Sequence, residues 1–148
     1  MIKLKDILTE GLNKQEIQDI VNKVYPKIVK DLGRAKKGTP KVKIYNNVMS
    51  FHSGIEDYPA DGHEGDHAEY DWDSNTIAIF KVAMKSEKDV IQALLHEYTH
   101  ATQDEKKVKA ARAGGYENNK YEKAAAKAER NWKKYIQWEQ SNDYWSKL

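Results

Sequence analysis

The chain has 148 residues, a length that fits a single domain with one hydrophobic core. Charged residues make up 32% of it and hydrophobic residues 39%, which is the composition of a soluble globular protein. The net charge of +2 is too small to indicate nucleic-acid binding by itself, and no nucleic-acid partner is expected. Cysteine is absent, which excludes disulfide bonds and thiolate metal sites.

The opening stretch, MIKLKDILTE, does not have the pattern of a secretory signal peptide, because Lys3, Lys5 and Asp6 interrupt its apolar residues. No run approaches the roughly 18 apolar residues that a membrane-spanning helix needs. We therefore expect a cytoplasmic protein with no membrane partner.

The first predicted element is a helix that begins after Asn13. Asn13 and Glu16 have the spacing of a capping box, apolar residues follow at helical spacing, and Gly33 is a suitable stop. Pro26 lies inside this pattern and predicts a kink or two shorter helices. The partial alternation in Lys41–Phe51 then predicts a strand.

A long loop and a hairpin are predicted next. Residues 52–67 contain three glycines and a proline, which predicts a loop that is long for a small domain. The stretches AEYDW (68–72) and TIAIF (76–80) flank the polar segment Asp-Ser-Asn, which predicts two strands joined by a tight turn.

Two helices are predicted in the remainder of the chain. Ser86 and Asp89 have capping-box spacing, and apolar residues continue at helical spacing, so we expect one helix that ends before Gly114. A last long helix is predicted from Asn119 towards Gln140. Its expected buried stripe consists of Tyr121, Ala125, Ala128, Trp132 and Tyr135.

The most informative stretch is residues 94–103, LLHEYTHATQ, which lies in the first of these two helices. Four residues of helix span about 6 Å, so His96 and His100 project from one face and their imidazoles can share one Zn²⁺ ion. Glu97 lies beside the first histidine and can take a proton from a water molecule activated by the ion. The pattern therefore predicts a zinc site with a general base.

A second match to the same pattern occurs at residues 63–67, His-Glu-Gly-Asp-His. Gly62, Gly65 and nearby Pro59 disfavour a helix there, so the two imidazoles need not converge. We expect a polar loop. An alternative is that His63 or His67 folds over the metal site and binds the reacting carbonyl.

With these motifs, residues 66–130 resemble the zincin metallopeptidases. Gln103 and Lys107 stand where the metzincin branch has glycine and a third histidine, so that branch is excluded. The gluzincin-like branch takes a glutamate from the following helix, which Glu122 in Glu-Lys-Ala-Ala matches. The stretch Asn-Lys-Tyr-Glu, residues 119–122, is also similar to a segment of small bacterial and phage metallopeptidases.

The resemblance implies Glu122 as the third zinc ligand, but the residues leave alternatives open. Glu122 also has capping-box spacing with Asn119, which would explain it without a metal. Glu129 lies on the same helix face, about 10.5 Å further along the axis, and is the alternative third ligand. Glu117 is a further candidate.

The resemblance also implies an extended substrate bound along an edge strand, for which Thr76–Phe80 is the expected strand. Candidate donors to the oxyanion or the substrate are Tyr116, Tyr121, His63 and His67. The acidic stretch before residue 74 would favour basic substrates if it lines the cleft.

Together these observations predict an α+β, zincin-like single domain over residues 1–148, with a helical N-terminal extension (1–40) and a catalytic core (41–148). The expected function is a zinc-dependent metalloendopeptidase acting on protein or peptide substrates. The alternative is a catalytically inactive zincin-like binding or structural protein, which could be phage-encoded and act in the host cytoplasm or virion. No pattern in the chain indicates its oligomeric state.

Overall fold

The computed structural model describes residues 11–56, 67–113 and 119–136. Within these ranges the protein is an α+β domain, which confirms the predicted fold class. The strands are β1 (Lys41–Tyr45), β2 (Ala68–Asp71) and β3 (Thr76–Phe80). The helices are α1 (Lys14–Leu32), α2 (Val48–Ser53), α3 (Glu87–Thr102), α4 (Glu105–Ala113) and α5 (Lys120–Ala128), with 3-10 helices at Lys81–Ala83 and Glu129–Tyr135.

Helix α1 begins at the predicted capping box. The Asn13 side chain accepts from the Glu16 backbone N–H at 2.8 Å, and the Glu16 carboxylate accepts from the Asn13 N–H at 3.0 Å. The helix continues through Pro26, so the predicted division into two helices is wrong. Val24 and Ile28, on either side of the proline, are both fully buried, and this shared apolar face keeps the two halves in one helix.

The three strands form a mixed sheet in the order β1-β3-β2, with β1 parallel and β2 antiparallel to β3. The predicted hairpin of β2 and β3 is confirmed. Strand β3 lies in the centre and all its residues are buried, so the prediction that Thr76–Phe80 is the edge strand is wrong. A continuous apolar run is what a strand covered on both faces requires. The edge next to the candidate site is β2.

The strand predicted over residues 41–51 ends at Tyr45, and the rest of that prediction is wrong. The Asn47 side chain accepts from the Ser50 backbone N–H at 2.8 Å and begins helix α2. Phe51 then packs on the Tyr45 and Phe80 rings, with centroid distances of 4.9 and 6.3 Å. Of the predicted loop 52–67, residues 57–66 lie outside the described ranges.

The helix predicted to continue to Gly114 is instead divided into α3 and α4. Gln103 is extended (φ −90°, ψ 165°), and the Asp104 side chain accepts from the Lys107 backbone N–H at 3.0 Å, which starts the second helix. At the start of α3, Ser86 accepts from the Asp89 N–H. The Asp89 carboxylate accepts from the Lys85 N–H, so the predicted capping box is only half formed.

Helix α3 is the centre of the core. It packs against α1 on one side and against β2, β3, α5 and the 3-10 helix Glu129–Tyr135 on the others. Leu94, Leu95 and Tyr98 are at most 1% exposed. Since residues 17–28 of α1 belong to the same hydrophobic cluster, α1 is part of this core. The division at residue 40 into extension and catalytic core stays a prediction.

The last predicted helix begins after Asn119, as expected, but changes to a 3-10 helix at Glu129, and the predicted end near Gln140 lies outside the described residues. The predicted stripe faces the core, but only two of its five members are buried. Ala125 and Tyr135 are buried, and the other three members pack against the core: Tyr121, Ala128 and Trp132. No helix in the described ranges is both long and apolar enough to cross a membrane.

Candidate metal centre

Two imidazoles from α3 and one carboxylate from α5 converge on a common point. Glu122 Oε2 lies 3.1 Å from His96 Nε2, and Glu122 Oε1 lies 3.0 Å from His100 Nε2. The potential ligand atoms of these three residues all lie within 4.8 Å of one another. Bonds of 2.0–2.1 Å in a tetrahedral site place ligand atoms about 3.3 Å apart, so a small adjustment would admit a zinc ion.

Of the two predicted third ligands, it is Glu122 that lies at the Nε2 atoms of both histidines. The Asn119 side chain accepts from the Tyr121 and Glu122 backbone N–H groups at 3.0 and 3.1 Å. This cap involves the backbone of Glu122, and its carboxylate is directed to the histidines. Glu117 lies outside the described residues.

Glu129 contacts the other ring nitrogen of His96. Its Oε2 atom lies 2.9 Å from His96 Nδ1, while Glu122 faces Nε2. An Nδ1–H bond to a carboxylate orients an imidazole and leaves its Nε2 lone pair for a metal. The structure therefore places Glu129 behind the ligand histidine, in the position of a supporting residue rather than a third ligand.

Gln103 has the corresponding role for His100. The Gln103 amide nitrogen donates to the Tyr121 carbonyl at 3.1 Å, so its amide oxygen is the atom that lies 2.8 Å from His100 Nδ1. His100 Nδ1–H is therefore the donor in this contact, which leaves Nε2 as the nitrogen that a metal could bind.

The resulting arrangement of His100 and Glu122 fits a cation. His100 is 2% exposed, and its Nε2 has no hydrogen-bond partner of suitable geometry despite the Glu122 oxygen 3.0 Å away. A metal ion between these two atoms would satisfy both groups.

The carboxylates around His96 also control its charge. Burial by itself lowers the pKa of His96, but Glu122, Glu97 and Glu129 outweigh it and raise the pKa to about 9. The histidines in turn lower the pKa of Glu122. In the metal-free protein a proton on His96 thus replaces part of the charge that a metal would bring.

Glu97 lies next to the three converging groups without belonging to them. Its residue surface is 8% exposed, and its carboxylate accepts a hydrogen bond from the Tyr70 backbone N–H. Burial raises the pKa of Glu97, while His96 and His100 oppose that rise. A buried carboxylate with a raised pKa beside a metal site is suited to accept and return a proton.

These groups form the floor of a cleft of about 400 Å³. One wall consists of β2, the turn after it and His52 of α2, and it carries the carboxylates of Glu69, Asp71 and Asp73. The opposite wall is α4, which contributes Lys109 and Arg112. The cleft thus has an acidic wall and a basic wall.

Of the predicted oxyanion and substrate donors, the two in the described part of the chain do not line this cleft. Among its described lining residues are neither Tyr121 nor His67, and His67 is exposed. Tyr116 and His63 lie outside the described residues. Sequence reasoning missed Gln103 and Arg112. The spacing of Gln103, one helical turn after His100, was the available signal for the first.

No protein-family model, curated protein or solved structure matches this chain. The resemblance to zincins therefore stays a prediction carried by His96, Glu97, His100 and Glu122. The structure adds the convergence of His96, His100 and Glu122, and the contacts of Glu129 and Gln103 with the two histidines.

Proposed function

We propose that this protein is a zinc-dependent metalloendopeptidase. The observation that carries the proposal is the convergence of His96 Nε2, His100 Nε2 and the Glu122 carboxylate, with both Nδ1 atoms held from behind. Two imidazoles and one carboxylate are a ligand set of catalytic zinc sites, whereas closed structural sites use four protein ligands and mostly thiolates. Within the described ranges three side chains would hold the ion, so a fourth position would be left for water or substrate.

A bound Zn²⁺ would act as a Lewis acid that polarises a peptide carbonyl and lowers the pKa of a water molecule. Glu97 accepts the proton of the attacking water and then transfers it to the leaving amine nitrogen. The Tyr70 N–H keeps the Glu97 carboxylate in place for this transfer. Glu129 and Gln103 keep the two imidazoles oriented.

The free edge of β2 offers a place for the substrate backbone. The Phe80 N–H donates to the His67 carbonyl at 3.1 Å, so this residue pair is hydrogen-bonded. In an antiparallel ladder, hydrogen-bonded and non-hydrogen-bonded residue pairs alternate along the strands. The backbone groups of Ala68 and Tyr70 therefore point away from β3. The Tyr70 N–H is used by Glu97, so an extended peptide pairs with Ala68.

The test combines metal content with hydrolysis of unfolded protein. Wild-type protein is expected to hold about one zinc per chain. Glu97→Gln should keep the zinc and lose activity by about 10²–10⁴-fold, because the ligands are intact and the proton acceptor is gone. His100→Ala should lose both. The matched control is Glu56→Gln, the same change at a side chain that is 79% exposed, which should alter neither.

The possible outcomes distinguish the peptidase from the inactive binding or structural protein. Zinc binding without hydrolysis in the wild type would replace the peptidase with a zinc-binding structural protein. A fully active Glu97→Gln variant would show that this mechanism is wrong. No zinc uptake at all would remove the basis of the proposal.

A further inference from the structure

Arg112 is the basic residue closest to the metal site. It lies in the last turn of α4 and lines the cleft, and its side chain is 50% exposed. Arg112 Nη2 is 3.6 Å from Glu122 Oε1, which is too long for a hydrogen bond. The guanidinium thus stands beside the Glu122 carboxylate in a long ion pair without a hydrogen bond, and its exposed part lines the cleft.

The other basic side chains of the cleft lie closer to carboxylates than Arg112 does. Lys109 Nζ lies 2.8 Å from a Glu105 oxygen, and Glu105 also binds Lys37 at 2.7 Å. His52 Nε2 lies 3.2 Å from Glu69. Among the described residues, the carboxylate in an ion pair with Arg112 is that of Glu122, at the longer distance of 3.6 Å.

Glu122 cannot neutralise Arg112 fully, because its two oxygens face His96 and His100. A cation bound by Glu122 would draw the carboxylate charge further from the guanidinium. Arg112 would then be an incompletely neutralised charge beside the carboxylate that holds the cation. Its five N–H donors form a planar fork that suits oxygen anions.

We propose that Arg112 forms an oxygen-anion subsite beside the metal. The bound group is a carboxylate of the substrate or the oxyanion that forms when the peptide carbonyl is attacked. Both present a negatively charged oxygen to the guanidinium. This inference rests on the proposed metal site. It assigns to Arg112 a function that the sequence assigned to Tyr116, Tyr121, His63 or His67.

The test uses the Co²⁺-substituted protein, whose visible absorption changes when an anion reaches the metal, and acetate as the probe. Arg112→Ala should weaken acetate binding by about five- to tenfold, and Arg112→Lys should restore part of it. The control is Lys107→Ala, which removes the same charge from an exposed position of α4 outside the cleft lining. It should change the affinity less than twofold.

Two results would overturn the subsite. Acetate affinity that is unchanged in Arg112→Ala would show that the guanidinium does not reach the anion. An equal loss in Lys107→Ala would show an effect of net charge only. Absence of cobalt uptake would instead overturn the metal site and the subsite together, so the two failures are distinguishable.

Kinetics with a cleaved peptide and its amidated counterpart identify the source of the anion. If Arg112 binds a substrate carboxylate, Arg112→Ala raises KM for the carboxylate peptide alone. If it binds the oxyanion, the variant lowers kcat for both peptides. Unchanged KM and kcat for both peptides would count against the subsite.

Discussion

Removal of the Glu129 carboxylate is the sharpest test of the arrangement around His96. Glu129 was an alternative third ligand on sequence grounds, whereas the structure places its oxygen 2.9 Å from Nδ1, the nitrogen that faces away from Glu122. A residue in this position orients the imidazole and increases its basicity. Glu129→Ala should therefore weaken zinc binding without abolishing it.

The expected loss of zinc affinity in Glu129→Ala depends on how exposed the contact between Glu129 and His96 is. Loss of a partner behind a ligand histidine typically costs 10–100-fold in metal affinity. The Glu129 side chain is 33% exposed, so water can partly replace it, and we expect the lower end, about tenfold or about 1.4 kcal/mol. Glu129→Gln keeps an acceptor oxygen and should lose less.

The assay is a competition titration of zinc against a chelator of known affinity, with wild type, Glu129→Ala, Glu129→Gln and Glu122→Ala in parallel. Glu122→Ala removes a ligand and should lose stoichiometric zinc. If Glu129→Ala loses zinc as completely as Glu122→Ala, then Glu129 is a ligand and the assignment is wrong. If Glu129→Ala binds like wild type, its contact with Nδ1 has no part in metal binding.

Three further outcomes are expected. Gln103→Leu removes the acceptor behind His100 and should weaken zinc binding by about tenfold in the same titration. Tyr98→Phe removes the buried hydroxyl that donates to the Gly33 carbonyl and should lower the free energy of unfolding by about 1 kcal/mol in urea, with zinc affinity unchanged. Lys109 and Lys37 lower the pKa of Glu105 to about 2, below its ordinary 4.5, so this carboxylate stabilises the fold above pH 4.5 and its contribution is lost as the pH falls through about 2. The difference in urea midpoint between wild type and Glu105→Gln should therefore shrink on acidification. A difference that stays constant with pH would contradict the stabilising role of the Glu105 carboxylate.

The elements that sequence reasoning predicted well depend on interactions between residues close in the chain. The capping box of Asn13 and Glu16, the hairpin of β2 and β3 and the one-turn spacing of His96 and His100 all follow from local geometry. The break at Gln103 was missed, because the bonds of its side chain to His100 and the Tyr121 carbonyl are made only in the folded chain.

Tertiary structure decided the rest. From their spacing in the sequence, Glu122 and Glu129 were alternative third ligands. Only the packing of α5 and the following 3-10 helix on α3 brings Glu122 to Nε2 of His96 and Glu129 to Nδ1. The sheet order that buries Thr76–Phe80 and the approach of Arg112 to Glu122 have the same origin. The sequence by itself determined which groups could bind a metal. Their relative positions depend on how distant helices and strands bury their apolar faces, and local periodicity does not encode that.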